Sequence, residues 1–314
     1  MRLVEFSPQL PDASDYPRFG VILGDQVIEI GESERGTLSD YIWRGAPALE
    51  DIRAMYAACL QGAPPILRGH ARRLFPLRRC LLHPPLVPRT LRDFYAFEQH
   101  VKAANAIRGR EVPPEWYTMP VFYYAYHGTL CGDGDTVPYP PYTAALDYEL
   151  EIAAVIGKAG RDIPAERAEE HILGFTILND WSARDVQRIE MRVGLGPAKG
   201  KDFAKSLGPC IVTLDELADR HTGRHGVFNL QMMARVNGAE RSRGNMADLY
   251  WSFGQMIERA SQAVTLQPGD VIGSGTVGTG CLLELTSGEG PWLQSGDVVE
   301  LEIERIGVLR NVIG

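Results

Sequence analysis

Apolar and polar positions near the start of the chain follow strand-like runs. Arg18-Phe19-Gly20-Val21-Ile22-Leu23 and Val27-Ile28-Glu29-Ile30 flank Gly24-Asp25, a pattern that predicts two short strands joined by a hairpin turn, and residues 1–30 read as short strands throughout. Leu49, Ile52, Met55, Tyr56 and Leu60 then recur at helical spacing until Gly62-Ala63-Pro64-Pro65 ends the run. Pro76, Pro84, Pro85 and Pro88 break the next stretch as a linker would, so a small N-terminal domain is expected over 1–85 and a larger domain over 86–314. In the latter, 227–236 and 239–243 flank the hairpin signal Asn237-Gly238, and 282–285 and 298–303 also read as strands. Two helices are predicted to interrupt them. One covers about 182–192; the other covers about 246–263, with Leu249, Phe253, Met256 and Ile257 on one side. Residues 147–157 form an apolar run of the length of a strand buried on both faces.

Composition adds that this pattern has a core to fold around. The 314 residues are 45% hydrophobic and 23% charged. A chain of this size can bury roughly three quarters of its extended surface, so disulfide staples are unnecessary. The five cysteines are odd in number, scattered and never in a C-x-x-C pair, which fits a reducing compartment. The net charge of −8 and the lack of a long Lys/Arg block argue against nucleic acid. No apolar run is long enough to span a bilayer, and Met1-Arg2-Leu3-Val4-Glu5 leads directly into a strand pattern, so a cytoplasmic protein without a membrane partner is expected.

Several acids stand where chemistry could be done. Glu149 and Glu151, two apart on a strand, share a face and could converge on one ion; an edge strand with both acids in water is the alternative. Asp180 follows the strand-like run 172–178 and precedes a helix start, where it could bind a ligand or simply cap the helix. On that helix Arg184 and Gln187, three apart, project from one face. If 93–100 is helical, Asp93 and His100 lie two turns apart on one face. Glu284, inside Cys281-Leu282-Leu283-Glu284-Leu285, needs a partner, which a histidine could supply. Other motifs fail. Gly273-Ser274-Gly275-Thr276-Val277-Gly278 matches G-x-G-x-x-G, but a strand is expected after it rather than a helix. Gly196-Pro197-Ala198-Lys199-Gly200-Lys201 has the wrong spacing for a phosphate loop.

Taken together, 93–100, 146–157, Asn179-Asp180-Trp181-Ser182-Ala183-Arg184-Asp185-Val186-Gln187, Gly200-Lys201-Asp202-Phe203 and Gly273-Ser274-Gly275-Thr276 resemble the fumarylacetoacetate hydrolase family, from roughly Arg92 to the C-terminus. The resemblance implies a β-rich α+β fold, a mixed β-sandwich roll with a small N-terminal α+β domain. It also implies that Asp93, Glu149, Glu151 and Asp180 hold one divalent cation, magnesium first, with manganese or calcium as alternatives. An oxygen-only set suits such hard ions. His100 and Glu284 would activate water, Arg184, Gln187 and Lys201 would donate to substrate oxygens, and Tyr95, Arg108, Tyr126 and Thr276 would contact substrate. The implied reaction is hydrolysis of a carbon–carbon bond in a 1,3-diketo acid, such as an acylpyruvate from aromatic catabolism, by a homodimer. Decarboxylation, isomerisation or hydration of a 2-oxo acid is the alternative within the family, and a catalytically silent metal-binding protein is the alternative outside it. Between His100 and Glu149 the chain carries Arg108, Arg110 and an aromatic run, where specificity is expected to be set.

Overall fold

The computed structural model describes residues 1–9, 17–32, 36–45 and 47–314. Its fold is a sheet-rich α+β arrangement, as expected. Twelve strands of the described residues form one mixed sheet. Its path runs from Leu74–Pro76 through Gln26–Glu32, Arg18–Leu23 and Arg2–Pro8, then Lys205–Thr213, Ile172–Asn179, Leu150–Ile156, Val271–Gly273, Leu91–Phe94 and Phe122–Ala125. The hairpin at Gly24-Asp25 is present. Arg2–Pro8 pairs with Lys205–Thr213, so the N-terminal strands continue the sheet that carries the later ones. A five-stranded sheet containing Gln231–Val236, Ala239–Asn245, Val298–Ile303 and Gly307–Ile313 packs against strands 205–213, 172–179 and 150–156. The Asn237-Gly238 turn has positive φ at both residues (53° and 77°), the geometry that a two-residue hairpin needs.

Strand Leu150–Ile156 is buried along its whole length. Leu150, Ile152, Ala154 and Ile156 face one apolar cluster, while Ala153 and Val155 face the other. This two-sided burial is why the sequence there is apolar without alternation. Glu151 extends the Ala153/Val155 face toward one end of the sheet.

Several local expectations change. The run 147–157 is not one strand: Leu146–Asp147 pairs with Ser182–Ala183, and the central strand restarts at Leu150. The helix expected from 182 therefore begins at Arg184. The long helix over 246–263 is two pieces, Met246–Asp248 and Phe253–Ser261; Ser252 starts the second by accepting the Gln255 N–H. Strand 227–236 shortens to Gln231–Val236. Within the expected linker, Cys80–His83 is a strand paired with Arg2–Pro8. Residues 93–100 are not one helix, since Asp93 lies on strand Leu91–Phe94 and the helix starts at Glu98. Leu282–Leu285 is a helical turn rather than a strand, because the Asp147 carboxylate accepts the N–H groups of Leu282 (2.8 Å) and Leu283 (3.0 Å). The strand reading of 10–16 falls outside the described residues.

Candidate active site

Adjacent strands bring the acids together. Asp93 pairs with Gly273 on one side and Tyr123 on the other, Glu151 lies opposite Leu178, and Asp180 directly follows the strand Ile172–Asn179. Gly273 is required here, since a Cβ would lie 2.5 Å from Asp93 Oδ1. The Gly275 N–H donates to that same oxygen at 3.1 Å. The G-x-G-x-x-G segment is thus followed by a helix, contrary to the sequence reading, but its backbone donors serve carboxylates: Thr279 N–H donates to Glu284 Oε2 at 3.0 Å.

Asp93, Glu151 and Asp180 present ligand oxygens that all lie within 4.8 Å of one another, and all three are buried. Glu149 stands beside this trio, with its two oxygens taken by Arg184 Nη2 (2.8 Å) and by the Lys201 ammonium. Lys201 also reaches Asp180 Oδ2 at 2.8 Å, and Lys205 reaches Asp180 Oδ1 at 2.7 Å. Two of the four expected ligands therefore meet internal ammonium groups, whereas Asp93 and Glu151 have no such partner. Burial, then the charge of Asp180, raises the Asp93 carboxyl to about 8. Burial, then Asp93 and Glu149, pushes Glu151 well above the usual carboxylate range. Burial would raise Asp180 too, but Lys201 and Lys205 outweigh it and hold that carboxyl well below the usual range.

The residues fit a bound dication. Glu151 Oε2 is buried with no hydrogen-bond partner, and the trio offers only oxygen. Five buried carboxylates, Asp147 included, face the three cations Arg184, Lys201 and Lys205, which leaves two negative charges for an ion to balance when all five are ionised.

A second group lies alongside. His100, near the start of helix Glu98–Ile107, is 2.5 Å through Nδ1 from Glu284 Oε1. Arg184 donates from Nε to Asp147 Oδ2 (2.8 Å) and from Nη1 to Gln187 Oε1 (3.0 Å). A cavity of about 250 Å³ is lined by Asp93, Tyr95, His100, Arg108, Glu149, Glu151, Arg184, Gln187, Lys201 and Thr276, so twelve of the thirteen expected site residues either line it or, like Asp180 and Glu284, bond directly to residues that do. Tyr126 does neither: it follows the strand Phe122–Ala125, is 55% exposed, and lies outside the lining. Tyr123 does line it, donating to Asp180 Oδ2 at 2.6 Å.

Sequence reasoning missed Asp147, Tyr123 and Lys205. The acids at 147, 149 and 151, each two apart, and the Lys201/Lys205 spacing were the available signals. Tyr123 could not be separated from its aromatic neighbours without the strand register that sets it opposite Asp93.

Comparison with known proteins gives the family. Residues 89–314 match the model of the fumarylacetoacetate (FAA) hydrolase C-terminal family. The chain is 30% identical over 364 residues to a fumarylacetoacetase of Arabidopsis thaliana, covering 91% of this chain and 84% of that protein. It is 33% identical over 322 residues to a mitochondrial oxaloacetate tautomerase of Homo sapiens, covering 100% of this chain and 91% of the relative. The solved structure of a fumarylacetoacetate hydrolase from Exiguobacterium antarcticum superimposes with a TM-score of 0.73 at 25% identity, covering 100% of this chain and 99% of that one. No helix among the described residues is long and apolar enough to cross a membrane. A cluster of buried acids on one end of a mixed sheet, a His-Glu pair beside it and these likenesses place the chain in the fumarylacetoacetate hydrolase family.

Proposed function

We infer that the protein is a metal-dependent hydrolase that cleaves a carbon–carbon bond of a 1,3-diketo acid, with 86–314 as the catalytic unit and 1–85 as a small N-terminal domain. The observation that carries this reading is that His100, paired with Glu284, lines the same cavity as Asp93 and Glu151 of the acid trio. Asp93, Glu151 and Asp180, with Glu149 beside them, would hold the dication, magnesium first, with manganese or calcium as alternatives. When bound, the ion would polarise the substrate's oxo oxygens and stabilise enolate charge.

This chain's own residues supply the rest. Glu284 engages Nδ1 of His100, which fixes the tautomer with Nδ1–H donating and leaves Nε2 to accept a proton from water. The resulting hydroxide adds to the carbonyl carbon, the carbon–carbon bond breaks with its electron pair on the enolate fragment, and the imidazolium returns the proton to that fragment. Lys201, Gln187 and the Arg184 guanidinium line the cavity where oxygen charge develops. Tyr95, Arg108 and Thr276 line the remaining wall and would orient the substrate.

A second reading is favoured by the tautomerase that matches the whole chain. Here His100 would shuttle a proton between carbon and oxygen of a 2-oxo acid with no water consumed. Incubation with an acylpyruvate, followed by NMR, separates them. Stoichiometric appearance of pyruvate and a second carboxylate is expected; solvent hydrogen exchange or keto–enol conversion without cleavage would select the tautomerase.

A further inference from the structure

Among the described residues, His, Cys, Asp and Glu side chains meet in threes at two places: the acid trio, and the group His100, Cys281 and Glu284. In the second group one nitrogen, one sulfur and one oxygen lie within 4.8 Å of one another. His100 Nδ1 is 2.5 Å and Cys281 Sγ 3.7 Å from the same atom, Glu284 Oε1. The other carboxylate oxygen accepts the Thr279 N–H at 3.0 Å, which fixes the direction of Oε1.

A buried cysteine is by default a small packing residue. Cys80 and Cys210 fit that description, since each thiol meets only a backbone carbonyl, of Pro76 and of Ile306, at 3.4 Å. Cys281, fully buried, instead stands against a carboxylate that already engages an imidazole. It immediately precedes the helical turn Leu282–Leu285, which Asp147 holds by the N–H groups of Leu282 and Leu283. The thiol and the carboxylate are therefore positioned together by groups outside the cluster.

Nitrogen, sulfur and oxygen together are a donor set for zinc and similar borderline ions, whereas the oxygen-only trio suits hard ones. Around tetrahedral zinc such donors stand about 3.3–3.6 Å apart. Cys281 and Glu284 are already near that separation. His100 and Glu284 have to part by about 0.8 Å, as they do when an ion replaces the hydrogen between them.

We propose that His100 Nδ1, Cys281 Sγ and Glu284 Oε1 form a second, inhibitory metal site that takes zinc or a like borderline dication. On binding, the thiol releases its proton to solvent. The proton on Nδ1 moves to Nε2, so the imidazole stays neutral but changes tautomer. Nε2 then carries a hydrogen and can no longer accept one from water. Zinc thereby disables the base without displacing an ion from the acid trio. The site stands on the three side chains; its inhibitory effect rests on the reading of His100 as the base.

The test uses the magnesium-supplied protein. Cobalt(II), a spectroscopic stand-in for zinc, is expected to give a near-ultraviolet thiolate-to-cobalt charge-transfer band that is absent from C281S and C281A. With magnesium in large excess, stoichiometric zinc should lower acylpyruvate cleavage at least tenfold. Measured against each variant's own zinc-free rate, half-inhibition should need at least tenfold more zinc; an unchanged melting temperature shows that the variants fold. No band, or a band that survives in both variants, overturns the site. Inhibition that is equal in the variants, or relieved by more magnesium, places zinc at the acid trio and overturns it too. A band lost in the variants, with undiminished cleavage in the unaltered protein, supports the site and overturns both the inhibition and His100 as the base. Absence of cleavage before any zinc is added overturns the proposed function, and the band still decides the site.

Discussion

Substitution of Asp147 by asparagine tests whether one carboxylate ties the two halves of the site together. Asp147 is fully buried and accepts from Arg184 Nε at 2.8 Å, Leu282 N–H at 2.8 Å and Leu283 N–H at 3.0 Å. It thereby fixes the guanidinium that holds Glu149 and docks the helical turn that carries Glu284. Asparagine preserves the shape but removes the charge and turns one acceptor into a donor, which must then face either an N–H or the guanidinium. Breaking a buried pair by loss of one partner costs about 3–5 kcal/mol. Glu149 still holds Arg184 Nη2 at 2.8 Å, so the lower end, about 3 kcal/mol, is expected. At roughly 2 °C per kcal/mol for a chain of this size, the melting temperature should fall by about 6 °C. Turnover of an acylpyruvate should fall at least tenfold, because Arg184 and Glu284 lose their common anchor. Thermal unfolding and steady-state kinetics on the same preparation check both. A shift below about 1 °C with unchanged turnover would refute the linking role.

Further outcomes follow from other groups. His100→Ala should lower cleavage by about 10² to 10⁴, the range for loss of a general base, while manganese affinity measured by calorimetry stays the same; unchanged turnover would exclude His100 as the base. Gly273→Ala puts a Cβ where Asp93 Oδ1 and Leu178 Cδ2 now stand, 2.5 and 2.9 Å away, so metal affinity should drop at least tenfold in a manganese titration. Glu5 is raised to about 7, chiefly by burial, against the lowering effect of the Leu38 N–H, with Asp40 raising it further. The folded chain thus holds this proton more tightly than the unfolded chain, and stability is lost as pH rises from about 4.5 through about 7. Glu5→Gln should therefore stabilise the protein by about 1–3 kcal/mol at pH 8 and leave it unchanged near pH 4; equal denaturation midpoints at pH 8 would contradict this.

The sequence made the acids legible but not their partners. Glu149, Glu151, Asp180 and Asp93 stand in distinctive segments, yet nothing in a linear pattern shows that Lys201 and Lys205 both reach Asp180 while Asp93 has no cation. Secondary structure failed where long-range hydrogen bonds overrode local pattern. Leu282–Leu285 has the composition of a strand, but the Asp147 carboxylate, 135 positions away from Leu282, caps it as a helical turn. The 246–263 helix splits because Ser252 forms a capping box with Gln255, a signal present in the chain but hidden within a continuous apolar stripe. Tyr123 was missed for a similar reason: the family resemblance located the aromatic run, and only strand register sets this ring opposite Asp93 and beside Asp180.

The central claim is that acids remote in sequence gather about one dication. Anomalous diffraction from a crystal grown with manganese tests it most directly. One strong peak is predicted among Asp93, Glu151 and Asp180, coordinated by Glu151 Oε2. No peak there, with the Lys201 ammonium still bridging Glu149 and Asp180 and the Asp93 and Glu151 carboxyls sharing a proton, would contradict the account.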